Sequence, residues 1–209
     1  IVVSLFTQLD IVMIGTMLGD KAAGEYYAST RLATPLVFIS TIIISTFFSK
    51  LSRNWVVNKK EYYELLAFIS GSIIFSYSAI VLIVFIFGND IFFLFFSSEY
   101  KASYDLFLIH IVGLIFVLLG PLTGKHLIIK KDYGAELSKT LLAAIVNIAL
   151  TSIAVLKYEN LNLVAVSTLI SYMIANFGYF IVKKDWLLIK AIFNGVNPLF
   201  LVRYAKKIL

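Results

Sequence analysis

The sequence predicts an all-α, polytopic membrane protein built as a bundle of six transmembrane helices, and three observations predict it. The 209 residues are 60% hydrophobic and only 14% charged, with a mean hydropathy of +0.93. Soluble domains average near half apolar and about a quarter charged. The apolar residues gather into runs near the ~20 residues that a helix needs to cross a bilayer. Finally, Lys and Arg are distributed unequally between alternate polar breaks.

The runs are residues 1–18, 24–49, 64–88, 105–129, 137–156 and 161–182. The chain opens at Ile1 directly in apolar sequence, without the basic n-region of a signal peptide. We therefore read it as part of a longer protein, beginning at or just before a helix. Gly19-Asp20-Lys21-Ala22-Ala23-Gly24 separates the first two runs, and Pro35 predicts a kink in the second by removing a backbone donor. Asn58-Lys59-Lys60-Glu61 has the pattern of a helix capping box leading into the third run. Gly88-Asn89-Asp90 and Asn160-Leu161-Asn162 carry turn chemistry. In the fourth run, Gly113, Gly120, Pro121 and Gly124 predict close helix approach and flexibility. Residues 183–209 mix Trp186, Leu187, Leu188, Ile192 and Phe193 with Lys190, Arg203, Lys206 and Lys207, and Asn194–Pro198 interrupts them. Too polar for a seventh span, they are expected to form a basic amphipathic cytoplasmic tail on anionic lipid.

Charge sets the expected orientation. One set of breaks holds Lys50, Arg53, Lys59 and Lys60, then Lys125, Lys130, Lys131 and Lys139, then the six basic residues Lys183, Lys184, Lys190, Arg203, Lys206 and Lys207. The alternate breaks hold only Lys21, Lys101 and Lys157. Cytoplasmic loops carry the Lys/Arg excess, so the first set and the C-terminus are expected on the cytoplasmic side. The net charge of +6 thus punctuates apolar runs instead of forming the basic patch of a nucleic-acid-binding domain, and no nucleic acid is expected as a partner. With no cysteine there is no disulfide framework and no thiolate metal site. Short breaks, two histidines and the lack of HExxH, GxSxG or P-loop patterns leave an enzyme no foothold, and neither catalytic residues, metal ligands nor a cofactor are expected.

A solute passage has better candidates. At ~1.5 Å per residue, Asp10 lies roughly 14 Å before Gly19 and Arg31 roughly 10 Å after Gly24. Both are expected near the bilayer midplane on consecutive antiparallel helices, where an ionisable residue is costly and marks function. In the second run Tyr27, Arg31, Thr34, Thr41, Ser45, Ser49 and Ser52 recur at helical spacing, which keeps them on one stripe. Ser4, Thr7, Gln8 and Asp10 make a partial stripe in the first. Arg31, Tyr27, Thr34, Ser45 and Lys125 are candidates for binding an anionic substrate. Asp10 is the counter-charge, a structural partner of Arg31, or the ligand of a coupling ion, H⁺ or Na⁺. Asn147, Thr151 and Asn176 are expected to hydrogen-bond between helices, and His110 to be a buried neutral side chain near the outer face. Lys125 and His126 could meet a head group entering from the cytoplasm or anchor the helix end.

The stretch QLDIVMIGTMLGDKAAGEYYASTRL, residues 8–32, resembles the seventh-to-eighth helix junction of bacterial polysaccharide flippases, with Asp10, Leu18-Gly19, Gly24-Glu25-Tyr26 and Arg31 in that family's order. Phe87-Gly88 followed by Glu99-Tyr100-Lys101-Ala102 is similar to its Phe-Gly…Tyr-x-x-Ala segment. The resemblance implies the multidrug/oligosaccharidyl-lipid/polysaccharide exporter superfamily. The chain would then be the C-terminal six-helix half of a 12–14-helix transporter in the bacterial inner membrane. It would flip undecaprenyl-pyrophosphate-linked oligosaccharide repeat units for O-antigen or capsule synthesis by alternating access. The partners implied are the lipid-linked oligosaccharide, membrane lipids, an N-terminal six-helix half, and glycan polymerase or assembly proteins. Two rivals remain at this stage. One is a cation-coupled multidrug antiporter of the same superfamily, with Asp10 binding H⁺, Na⁺ or a cationic drug. The other is a non-transporting scaffold in glycan assembly, in which the polar stripe only packs.

Overall fold

Gly19 is the first residue whose conformation shapes the chain. Its φ of 89° and ψ of 171° lie where only glycine sits without strain, and it alone joins α1 (Val2–Leu18) to α2 (Asp20–Ala33). The structure, a computed structural model, describes residues 2–208, with side chains from 8 to 207. Ser4 and Thr7 of the expected first stripe fall outside the described side chains.

After α2 the chain makes one 3₁₀ turn, Thr34–Leu36, and continues as α3 (Val37–Val57). Pro35 stands at the start of that turn, where its missing N–H would otherwise have bonded the Arg31 carbonyl. A one-turn 3₁₀ irregularity therefore stands where the sequence predicts a kink, and Asp20–Val57 still runs as one long helical stretch. Asn58 then breaks the helix, and its side chain accepts from the Lys60 and Glu61 amides at 3.1 and 3.2 Å to start α4 (Lys59–Phe95). A further 3₁₀ turn, Ser98–Tyr100, leads into α5 (Lys101–Leu118), which continues as α6 (Gly120–Ile129) after a break ahead of Pro121. Next come α7 (Tyr133–Leu156), capped by Asp132, and α8 (Leu161–Met173), capped by Asn160. A five-residue π turn, Ile174–Gly178, passes α8 into α9 (Tyr179–Val182). Two last helices, α10 (Trp186–Gly195) and α11 (Pro198–Ile208), bend by 93° at their junction.

The described residues are all-helical, and five stretches are long and apolar enough to cross a membrane: Asp20–Val57, Lys59–Phe95, Ser98–Ile129, Tyr133–Leu156 and Leu161–Val182. The bent α10–α11 pair reaches the same apolarity only when its two arms are taken together. The architecture is that of a multi-pass helical membrane bundle, as the sequence predicts. Its outer surface carries Val12, Phe38, Ile42, Leu82, Phe85, Ile86 and Ile145, all exposed, as lipid-facing helices require.

Three expectations need correction. The polar residues 50–57 do not end the second run, because α3 carries them on to Val57. Gly88-Asn89-Asp90 is no turn. Asn89 and Asp90 sit exposed on a continuous α4, while buried Gly88 leaves room for the Tyr104 ring and hydroxyl, and the helix stops only at Phe96. The segment expected to rest on the membrane surface is not a free tail, because one face of it packs on the bundle. Leu188, Ala191 and Ile192 of α10 are buried against α4, in one core with Leu65, Leu66, Ile69 and Ile73.

This docking depends on two glycines. A Cβ on Gly195 would overlap the Ala67 carbonyl, and one on Gly71 would overlap the Gly195 carbonyl and the Leu201 side chain. Neither helix could approach so closely with a larger residue. α11 then runs back along α4: Tyr204 meets Phe68 at a ring separation of 5.4 Å, and Lys207 pairs with Glu61 and Glu64. The hairpin therefore turns beside Gly71 and finishes beside the first turns of α4.

Two smaller clusters complete the interior. Ile14, Tyr26, Leu106, Val155, Val164 and Ala165 bring α1, α2, α5, α7 and α8 together. Phe92, Phe107 and Ile111 pack with Tyr104 at the far end of α4 and α5.

Candidate functional site

Asp10 is fully buried where α1, α2, α7 and α8 meet, and hydroxyls surround it. The Thr168 hydroxyl donates to Oδ2 at 2.6 Å, Tyr26 donates to the same oxygen at 3.1 Å, and Thr151 donates to Oδ1 at 3.1 Å. Asn147 stands behind Thr168, with Nδ2 at 3.3 Å from its Oγ1 and with its own Oδ1 buried without a hydrogen bond. Helical spacing builds the site, since Asn147 and Thr151 are four residues apart on α7 and share a face. The carboxylate has no cationic partner among the described residues. A carboxylate ringed by three hydroxyls is an oxygen donor set, which suits a proton or a hard cation.

Arg31 is not the partner of Asp10. The side chain that reaches Asp10 is Tyr26, and Arg31 lies five residues further along the same helix, about 140° around its axis. Arg31 is exposed, with its guanidinium 5.7 Å from the ring centroid of Tyr27, itself 44% exposed. The expected midplane ion pair is thereby overturned by helix geometry. Ser45 is exposed as well and donates back to the Thr41 carbonyl at 2.6 Å. Tyr27, Arg31, Thr41, Ser45 and Ser49 thus form a polar strip on an uncovered face of α2 and α3.

That strip borders a cavity of about 410 Å³ whose lining includes Thr34, Thr41, Lys125, Glu136, Lys139, Thr140, Tyr172 and Asn176. Of the sequence candidates, Thr34 and Lys125 line it; Arg31, Tyr27, Ser45 and Asp10 do not. Three helix irregularities meet around it: the Pro35 turn, the break before Pro121 and the π turn that holds Asn176. Broken and π-bulged helices in membranes are tolerated where a cavity or a side chain satisfies the freed backbone groups. Asn176 does this here: its Nδ2 donates to the Phe116 carbonyl at 2.8 Å, and its Oδ1 accepts from Thr123 at 3.1 Å. Thr123 accepts in turn from Lys139, whose buried Nζ sits 3.3 Å from that hydroxyl and 3.0 Å from Glu136 Oε2. Lys125 reaches over the Phe48 ring, 4.7 Å from its centroid. The Lys139–Glu136 pair, Thr123 and Asn176 were not legible as one network, because their positions converge only through the breaks in α5–α6 and α8–α9.

His126 is committed elsewhere. It is buried, with Nδ1 2.8 Å from the Tyr62 hydroxyl and Nε2 3.0 Å from Asp185, which also takes a 2.6 Å bond from Lys130. The network assigns Nε2–H as donor to Asp185 and Nδ1 as acceptor from Tyr62. Burial alone would raise the Asp185 carboxyl, but the hydrogen bonds from His126 and Lys130 and the charge of Lys130 outweigh it and hold the group well below the usual carboxylate range. A depressed folded-state value means stability that is present above the ordinary value of ~3.9 and is lost as pH falls towards the folded one. Asp185 also caps α10 at the Leu188 amide. Acidification below about pH 4 is therefore expected to loosen α10, read as faster amide exchange over residues 186–195. Asp185→Asn should show that faster exchange already at neutral pH and flatten its acid dependence.

No protein-family model, no curated protein and no solved structure matches the chain.

Proposed function

We propose that the chain is one lobe of a transporter that moves a lipid-linked, pyrophosphate-bearing oligosaccharide across the bacterial inner membrane. The observation that carries this reading is the uncovered polar strip of Tyr27, Arg31, Thr41, Ser45 and Ser49 running beside a cavity lined by Lys125. An arginine in apolar lipid costs a few kcal/mol, so this face belongs against water or a second lobe rather than against acyl chains. A cleft between two such lobes would offer a diphosphate the bidentate fork of Arg31 and the point charge of Lys125, while the lipid tail stays in the bilayer. The basic ends of the bundle are cytoplasmic in this reading, so the charged head group enters from the side where Lys125 lies.

Asp10 supplies the coupling site. Its oxygen cage is separate from the cationic face, so a cation bound there would not compete with an anionic cargo. The same cage would serve a drug antiporter, but Arg31 and Lys125 favour an anionic cargo over a cationic one.

The test is export in cells carrying the full-length protein. Arg31→Ala combined with Lys125→Ala is expected to cut surface glycan by more than about tenfold, as loss of one or two charge-assisted bonds implies. Membrane insertion should be unaffected, and Arg31→Lys should restore export in part. Wild-type export from the double variant would remove the anion site from these residues.

A further inference from the structure

Between the Asp10 cage and the large cavity lies a second, smaller void of about 40 Å³. It touches both. Tyr26 and Thr168, which hydrogen-bond Asp10, line one side, and Thr34, Val117 and Tyr172 line it together with the large cavity. His110 of α5 lines the void as well. Its ring stands edge-on to Tyr26 with centroids 5.2 Å apart, and its Nε2 is buried without a hydrogen-bond partner. A buried imidazole nitrogen left unpaired needs a water molecule, and this mainly apolar void with hydroxyls on its wall has room for one. Besides His110, Thr30, Thr34, Tyr26 and Thr168 offer hydroxyls around the same void.

We propose that this void is a water-bearing passage that carries protons between the cavity and Asp10, with His110 Nε2 as the polar station along it. The inference rests on Asp10 being the coupling site of the function proposed above, and it makes the proton the coupling ion. The passage has room for a water molecule but not for a hydrated metal ion. Protons cross it by exchange along hydrogen bonds: water delivers a proton to Asp10 through the Tyr26 or Thr168 hydroxyl, which releases its own proton to the carboxylate and is reprotonated from the water behind it. Release to the cavity is the same exchange reversed, so no other reactant is needed. The titratable groups facing Asp10 are Tyr26 from α2, Tyr172 from α8 and, across Tyr26, His110 from α5. α2, α5 and α8 form the walls together with Thr34 of the Pro35 turn, so a shift of these helices against one another would open or pinch the route.

The test uses the full-length protein in lipid nanodiscs without any glycan substrate. The infrared carbonyl band of protonated Asp10, assigned by its loss in Asp10→Asn, is followed between about pH 4 and 9, and its hydrogen–deuterium exchange is timed. His110→Phe keeps the ring against Tyr26 but removes Nε2, and is expected to slow the exchange at least about tenfold, in line with losing a positioned proton carrier. His110→Gln restores a polar atom and should recover most of the rate, which separates the polar role from simple packing. Val117→Phe, which fills the mouth of the passage, should slow exchange as well. Wild-type exchange in both phenylalanine variants, no recovery in His110→Gln, or the absence of a protonated Asp10 band across that pH range would each overturn the proposal. Because no cargo enters this measurement, an export defect missing from the Arg31 and Lys125 variants would sink the flippase reading and leave the passage standing.

Discussion

Replacing Gly195 with valine is expected to release the C-terminal hairpin from the bundle. The new side chain would meet the Ala67 carbonyl and the Ser70 hydroxyl, and backbone atoms of a long membrane helix cannot step aside as a flexible side-chain tip could. Overpacking of a tight core costs about 1–3 kcal/mol, and a clash with backbone belongs at the upper end. For a chain of this size that corresponds to a fall in melting temperature of roughly 6 °C or more. The loss should be local: α10 and α11 become open to protease and to amide exchange while α4 stays protected. Gly195→Ala should show a smaller change in the same direction. Unchanged protection of α10 in the valine variant would show that the two helices do not meet as closely as the paired glycines require.

With Asp10 as the coupling site of the proposed function, Asp10→Ala is expected to end transport while sparing most of the stability. Three hydroxyls lose their acceptor at once, those of Tyr26, Thr151 and Thr168. In water-soluble cores that would be severe. Within bilayers a side-chain hydrogen bond between helices averages about 0.6 kcal/mol, so three amount to about 2 kcal/mol, too little to unfold the bundle. Function is another matter, because no neighbouring residue can take over the carboxylate: Asn147 and the hydroxyls bind but do not titrate near neutrality. Asp10→Asn keeps the shape and most of the bonds and should fold like the wild type, yet export should no longer respond to the ion gradient. Gradient-driven export by Asp10→Asn would place the coupling site elsewhere.

The sequence carried the bundle plainly, and it carried parts of the site. Apolar run length is a strong signal, since every backbone group in lipid must be bonded within its own helix. Asn58 as a cap and Pro35 as a break in the regular helix were legible because their chemistry is local. The ends of α3 and α4 were not, because polar residues such as Asn89 and Asp90 sit exposed on a helix that simply continues past the apolar core. Asp10 was legible as an anomaly, but its partner was not. Depth along a helix can be counted from sequence, whereas the face a residue presents depends on how the helices are rotated against each other. Arg31 and Tyr26 differ by about 7.5 Å in depth and about 140° in rotation, and the two offsets together give Asp10 to the tyrosine. The i,i+4 pair Asn147 and Thr151 was noticed as interhelical hydrogen bonding, and its converging with Thr168 on one carboxylate is a tertiary fact. The void beside His110 is of the same kind, since unpaired nitrogen atoms leave no mark in a sequence.

The α10–α11 hairpin has a consequence for how the protein is made. Its docking surface on α4 and its anchor at His126 and Lys130 are synthesised long before residues 186–208 leave the ribosome. Until then Gly71 faces an empty slot and the basic pair lacks its carboxylate. Insertion of the earlier helices therefore yields an unfinished intermediate, and the later α10–α11 segment is the one that closes it. Quality-control machinery that samples exposed glycine seams or unpaired charge would find a target at Gly71 and at Lys130 in every chain that stalls before Asp185, and would lose both once the hairpin docks.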